Sequence, residues 1–198
     1  GVFAGLRADL ADVPADAVLL TAGVDVQHDR LEVEVVAWGD GEESWNIDYL
    51  VIPGDTNGRE VWQDLDAALW ERTYTHETGT ELHITAVGID SGDRTTKVYE
   101  YVKARSQRRI FALKGIAGPG RPVVKISRKV TGRRTRDIDL YQVGVDDAKG
   151  LVYARLQTEN PGPGYCHFPT DRDNEYFEQL TAEKQVTKYH KGFPRKEW

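Results

Sequence analysis

The sequence predicts an α/β domain on one mixed sheet, with three antiparallel strands followed by parallel crossovers and helices on the flanks. Three observations carry that prediction. Apolar runs at 18–27, 31–38 and 44–52 follow one another with only tight-turn residues between them, the pattern of a meander. From residue 60 onward, strand-length apolar runs alternate with helix-period segments, the pattern of crossover units. The composition, 39% hydrophobic and 29% charged over 198 residues, is globular and supplies one core of ordinary size.

The elements follow in order. Residues 1–17 are polar, Ala/Asp-rich and carry Pro14, which reads as an extended lead-in to a domain over 18–198. A buried strand over 18–27 turns at His28-Asp29. In 31–38, Leu31, Val33 and Val35 alternate with Glu32 and Glu34, which is strand periodicity. Asp40-Gly41 is a hairpin signal, and 44–52 is the third strand, closed by Pro53-Gly54-Asp55. Residues 60–74 put Val61, Leu65, Ala68 and Leu69 on one helical face, with Trp62 beside it. A strand over 82–89 ends at Asp90, and a helix over 93–106 leads to a short strand at 109–114. After the Gly/Pro-rich loop 115–122, alternating apolar and basic residues form a projecting basic arm or hairpin around 118–137. A strand over 138–143, a helix over 144–156, a short edge strand at 165–168 and a last helix over 174–186 complete the domain. The tail 187–198 is basic and aromatic.

Composition narrows the function classes. No apolar run approaches the roughly 18 residues of a membrane span. The first residues lack the basic and apolar regions of a signal peptide. One cysteine, Cys166, excludes an internal disulfide framework and a thiolate metal cluster, and a free thiol fits a reducing compartment. No methionine is present, even at position 1, which reads as a piece of a longer protein. The net charge of −6 conceals segregation: fourteen Lys/Arg stand against one acid, Glu100, between Arg94 and Arg136, so the rest carries −19. A phosphate-binding surface beside an acidic metal centre produces that asymmetry, as does a merely solvated positive face.

Two aspartates are the sharpest chemical signal. Gly23-Val24-Asp25-Val26-Gln27 and Val87-Gly88-Ile89-Asp90-Ser91-Gly92 each end an apolar stretch on an aspartate. On neighbouring strands the two carboxylates face each other, and close negative charges repel unless a cation lies between them. Such carboxylates hold a pair of Mg²⁺ or Mn²⁺ ions about 4 Å apart for phosphodiester hydrolysis. The structural alternative is that each aspartate caps a turn through residue i+2. A third acid comes from His167-Phe-Pro-Thr-Asp171-Arg-Asp173-Asn-Glu175, where Asp171 and Asp173 compete. Thr170 as an N-cap with Asp173 as its capping partner favours Asp171 as the ligand. Glu175 is weaker because Tyr176 and Phe177 must pack, and His167 either positions water or packs beside Pro169. The remaining histidines have no zinc-type spacing, and Gly118-Pro-Gly120 lacks the Lys-Ser/Thr ending of a phosphate loop. Amides at the start of the 93–106 helix can meet a phosphate with Lys97 assisting, while Asp93 is equally that helix's N-cap. Arg105, Arg108, Arg109, Arg128, Lys129, Arg133, Arg134 and Arg136 are candidate contacts to the DNA backbone.

These residues carry a family likeness. Ala22-Gly-Val-Asp-Val-Gln27 followed by Asp29-Arg-Leu-Glu-Val-Glu-Val-Val-Ala-Trp-Gly39, then Val87-Gly-Ile-Asp-Ser-Gly92 with Thr95 and Val98-Tyr99, resembles the large terminase subunit of tailed phages, the lambda-like GpA type. Val143-Gly-Val-Asp-Asp-Ala-Lys149, Gly162-Pro-Gly-Tyr-Cys-His-Phe-Pro169 and Tyr176-Phe-Glu-Gln-Leu-Thr-Ala-Glu183 are similar to its C-terminal half. The resemblance covers roughly 18–195. It implies an RNase H-like nuclease domain that follows an ATPase motor domain of the same polypeptide and cuts concatemeric viral DNA during packaging. It implies Asp25 and Asp90 as the first two acids and a third near the last helix, Asp171 or its rival Asp173. It implies two Mg²⁺ or Mn²⁺ ions, double-stranded DNA as substrate, and a small terminase subunit and the portal protein as partners. The implied location is the host cytoplasm, transiently at the procapsid portal. A junction resolvase or recombinase of the same fold, and an inactive DNA clamp or docking module, are the alternative readings.

Overall fold

The computed structural model describes residues 11–128 and 138–198. Its central strands are β1 (Ala17–Val26), β2 (Arg30–Gly39), β3 (Ser44–Pro53), β6 (Ile84–Asp90), β7 (Ile110–Ile116), β8 (Val124–Arg128), β9 (Asp139–Gly144) and β10 (Cys166–His167). They form one sheet in the order β10-β3-β2-β1-β6-β7-β9-β8. Two short ladders stand outside it, β4 (Tyr74–Thr75) with β5 (Glu81–Leu82), and β11 (Val186–His190) with β12 (Phe193–Glu197). The meander is antiparallel, β6, β7 and β9 run parallel to β1, and β8 returns antiparallel to β9. This is the expected mixed sheet, of RNase H-like type.

The two faces of the sheet differ because the strands alternate. Val24, Val26, Leu31, Val33, Val35, Val87 and Ile89 are buried on one face. Against it pack α1 (Glu60–Asp66), through Val61, Trp62 and Leu65, and α2 (Thr95–Ala104), through Val98, Tyr99, Tyr101 and Val102. Trp62 and Tyr101 join the two helices with ring centroids 5.0 Å apart. The other face carries Gly23, Asp25, Glu32, Glu34, Gly88 and Asp90. It is covered only in part, by α3 (Val145–Leu156) and α4 (Asn174–Leu180). α3 starts beside the end of β9 and reaches the β2–β3 turn, where Arg155 pairs with Glu42.

Several elements depart from the sequence reading. The helix expected over 60–74 is α1 plus a π-helical turn over Ala67–Glu71, and Tyr74 begins β4. The helix expected to reach 186 stops at Leu180. Thr181 Oγ1 donates to the Phe177 carbonyl, and Glu183 is captured by Lys149 and Tyr153 of α3, so tertiary contacts draw the chain out of the helix. The tail forms the β11–β12 hairpin. Within the expected lead-in, Val13 is fully buried and bridges to His76. Of the basic arm, 129–137 lies outside the described residues; the described part is β8 and the loop before it.

Candidate active site

β1 and β6 are parallel neighbours, with Gly23 opposite Gly88 and Val24 opposite Ile89. Asp25 and Asp90 are the next residues on the two strands, where a continued register would set them one strand spacing apart, about 4.8 Å in the backbone. Both side chains line one groove of about 320 Å³, together with Glu32, Glu34, Tyr49 and Leu113. Gly23 leaves its floor open, since a Cβ there would meet nothing within 4 Å, whereas the space at Gly88 is taken by Leu113, whose Cδ1 would lie 2.7 Å from a Cβ.

The turn-capping alternative is realised at Asp90, through a backbone amide, whereas Asp25 is bonded by the Gln27 side chain; each bond uses only half of the carboxylate. Asp90 Oδ1 accepts from the Gly92 amide at 3.1 Å, and Asp25 Oδ2 accepts from Gln27 Nε2 at 3.0 Å. Asp25 Oδ1 and Asp90 Oδ2 accept no hydrogen bond among the described residues.

Two acids that sequence reasoning left as the outward side of a strand belong to this groove. Glu32 lies opposite Asp25 and Glu34 opposite Gly23 across the β1–β2 ladder. Both are committed to protein partners. Glu32 accepts from Tyr49 Oη and from Arg30 Nε, each at 2.7 Å. Glu34 accepts from Tyr176 Oη at 2.6 Å and from Asn46 Nδ2. Burial pushes the Glu32 carboxyl up, but the Tyr49 and Arg30 hydrogen bonds outweigh it and hold the group below the usual carboxylate range. Burial first, then the bond to Glu32, pushes the Tyr49 phenol up to about 12. Burial and Glu34 together drive the Tyr176 phenol far up. The signal for Glu32 was present in the two-residue turn at His28-Asp29, which fixes the register facing Asp25.

Asp171 and Asp173 line a neighbouring cavity of about 460 Å³, which shares the wall formed by Glu32 and Tyr49. Asp171 is 77% exposed and lies 3.6 Å from Arg172. Asp173, expected as a capping partner of Thr170, is itself the N-cap of α4, accepting from the Tyr176 amide at 2.8 Å. Among the described residues no three His, Cys, Asp or Glu side chains form a ready-made metal cage. The donors that remain open are carboxylate oxygens on two strands. That set suits Mg²⁺ or Mn²⁺, which take one or two carboxylates and complete their shell with water and substrate phosphate.

The rim at the ends of β1 and β6 is polar. Arg94 has left-handed backbone (φ +44, ψ +32) and is the N-cap of α2, a place Asp93 was expected to fill. Its guanidinium donates to Thr56 Oγ1 at 3.2 Å and to His28 Nδ1, while His28 Nε2 lies 3.3 Å from Asp93. The candidate DNA contacts are dispersed. Lys97 lines a cleft between α1 and α2 on the opposite face of the sheet. Arg105 pairs with Asp66 and lies over the Tyr101 ring, and Arg108 lies over Trp70. With the exposed Arg109, they sit at the far end of the sheet from Asp90, because α2 runs back to the start of β7. Arg128 ends β8; Lys129, Arg133, Arg134 and Arg136 lie outside the described residues. Among the described residues no helix is long and apolar enough to cross a membrane.

Comparison with known proteins gives a consistent result. The family model described as "Terminase large subunit gpA, endonuclease domain" matches residues 6–198. The terminase large subunit of Escherichia phage lambda is 37% identical over 196 residues, covering 95% of this chain and 30% of that protein. The terminase large subunit of Enterobacteria phage P21 is 35% identical over 198 residues, with coverage of 95% and 30%. The chain thus spans about 30% of the length of these relatives. No solved structure gives a significant match.

Proposed function

The chain belongs to the family of terminase large subunit gpA endonuclease domains, and from that premise we propose that it is a two-metal-ion endodeoxyribonuclease that hydrolyses phosphodiester bonds of concatemeric viral DNA during genome packaging. The observation that carries the reading is that Asp25 and Asp90, each one residue beyond the last paired positions of β1 with β6, line one groove with one open oxygen on each carboxylate.

Asp25 and Asp90 would hold Mg²⁺ or Mn²⁺, and Asp171 or Asp173 would supply the third acid from the adjoining cavity. When bound, the ions supply positive charge against the charge developing on the phosphodiester and acidify the attacking water. The chain's own part is placement. Gln27 and the Gly92 amide fix the rotamers of the two aspartates. Tyr49 and Arg30 keep Glu32 ionised, so the groove stays negative and attracts cations. Gly23 leaves room for the substrate backbone, while Gly88 leaves room for Leu113. Lys97, Arg108, Arg109 and the basic arm carrying Arg128, Lys129, Arg133, Arg134 and Arg136 contribute sequence-blind attraction to duplex DNA, while Arg105 is committed to Asp66. In the whole polypeptide the activity would be coupled to a motor domain, a small terminase subunit and the portal, in the host cytoplasm.

The test is cleavage of linear duplex by Asp25→Asn and Asp90→Asn chains with added Mg²⁺ or Mn²⁺. Cleavage falls to background in both, while duplex binding in EDTA is unchanged or tighter because a negative charge has gone. Wild-type cleavage by either variant overturns the assignment.

A further inference from the structure

The β11–β12 ribbon stands outside the main sheet and takes no part in the groove. Its two-residue turn is Lys191-Gly192, at φ +50 and +82. Those values belong to a type I′ hairpin, whose first position normally holds Asn, Asp or Gly because a longer L side chain is strained there. A lysine is therefore held at the tip of the ribbon against backbone preference. Tyr189 and Phe193, flanking that tip, are each 74% exposed. Across 186–197 the sequence places Lys188, Lys191, Arg195 and Lys196 against one acid, Glu197, in a chain of net charge −6. Cation and bare aromatic together are the chemistry of nucleic-acid contact.

The ribbon has firm feet. Ahead of β11, Glu183 pairs with Lys149, and its carbonyl accepts from Tyr153 Oη. After β12, Trp198 lies 4.8 Å from the Tyr153 ring and donates Nε1–H to the Asp146 carbonyl at 3.0 Å. Both feet stand on α3. Because β9 is parallel to β7 and β6, the start of α3 is at the same end of the sheet as Asp25 and Asp90, with only β7 between. Two strand spacings are about 10 Å, and five residues of strand reach about 17 Å. The Trp198 foot on Asp146 is at that end, Lys149 and Tyr153 lie one and two turns further along α3, and a ribbon of this length rooted there can meet a duplex that extends past the groove.

We infer that β11–β12 is a DNA-gripping ribbon: a duplex engaged at the carboxylate groove is also held by Lys191 on a backbone phosphate and by Tyr189 and Phe193 against sugar or base. A two-stranded ribbon is the right width for the major groove, about 12 Å across. This rests on the reading of the chain as a DNA nuclease.

The test is fluorescence anisotropy with a labelled linear duplex in EDTA, titrated between 50 and 200 mM salt. Lys191→Asn keeps a residue that accepts the left-handed turn, so the ribbon persists while the charge is lost. Binding weakens, and the slope of log affinity on log salt falls by about 0.9, the share of one phosphate contact. Tyr189→Ser and Phe193→Ser weaken binding several-fold at every salt concentration with the slope unchanged. In cleavage assays Lys191→Asn raises KM and leaves kcat alone. Wild-type affinity and slope in all three variants overturn the proposal, as does loss of attachment to another protein with DNA binding intact. The nuclease reading is judged separately, by whether Asp25→Asn still cuts.

Discussion

Glu32 faces Asp25 across the β1–β2 ladder, and its carboxylate takes hydrogen bonds from Tyr49 and Arg30. Its folded-state pKa lies below the ordinary 4.5, so it contributes stability that is fully present above about pH 4.5 and is lost as pH falls through the folded value. Arg30 is too exposed for the ion pair to count for much, which leaves the Tyr49 bond as the main contribution. Glu32→Gln should therefore lower unfolding free energy by about 1 kcal/mol at pH 7, and in urea titrations the gap should close as pH falls below the folded value. A gap independent of pH would show that shape, not charge, is what Glu32 supplies. Gly23 makes the complementary case, because the groove depends there on an absent side chain. Gly23→Val meets nothing within 4 Å of its Cβ and suits a strand, so the thermal midpoint should hold or rise. Cleavage should fall, because the new side chain stands between Asp25 and the floor beside Gly88. Undiminished cleavage by a folded Gly23→Val chain would place the reacting phosphate elsewhere.

Elements were legible wherever a strong local period agreed with the fold. The meander was read from alternation and Asp40-Gly41, and the end of β6 from the position of Asp90 after an apolar run. Local signals put Asp25 and Asp90 each at the end of a strand, and the condition that the two strands be neighbours is met by the β1–β6 pairing. Illegible were features decided by contacts distant in sequence. α4 ends early because α3 captures Glu183, and β11–β12 turns on Lys-Gly, which is not among the usual hairpin dipeptides. The third acid was undecidable for the same reason: it depends on how α4 docks, and that is set by Tyr176 on Glu34 and by Arg172 on Asn46. Asp173 can be separated from Asp171 by its capping bond. Asp173→Ala should cost about 0.5–2 kcal/mol of stability, and Asp173→Ser, still a good cap, should restore most of it. If the serine chain is stable and cuts normally, Asp173 is a cap and Asp171 is left as the acid. If it is stable but inactive, the Asp173 carboxylate itself is required.

At the scale of the whole molecule, charge is divided between the sheet's faces and ends more finely than a count along the chain reveals. The carboxylates gather on one face at the carboxyl ends of β1 and β6, while part of the basic tract is carried by α2 to the opposite face and the opposite end. Arg105 shows what that displacement means. It donates to both oxygens of Asp66, lies over the Tyr101 ring, and with the Tyr101 hydroxyl outweighs the burial that pushes the Asp66 carboxyl up, so that group sits below its usual range. A guanidinium so occupied ties α1 to α2 and has little left for a phosphate. Arg105→Gln should therefore lose roughly 1–3 kcal/mol of stability at pH 7, because Asp66, 32% exposed, loses its charged partner. The loss should shrink as pH falls through the folded pKa of Asp66, and the salt slope of duplex binding should not change. A slope lower by about 0.9 with stability intact would reverse the assignment. It would mean that the duplex wraps past the sheet's edge onto the helical layer, so that both faces, and not the carboxylate face alone, meet DNA.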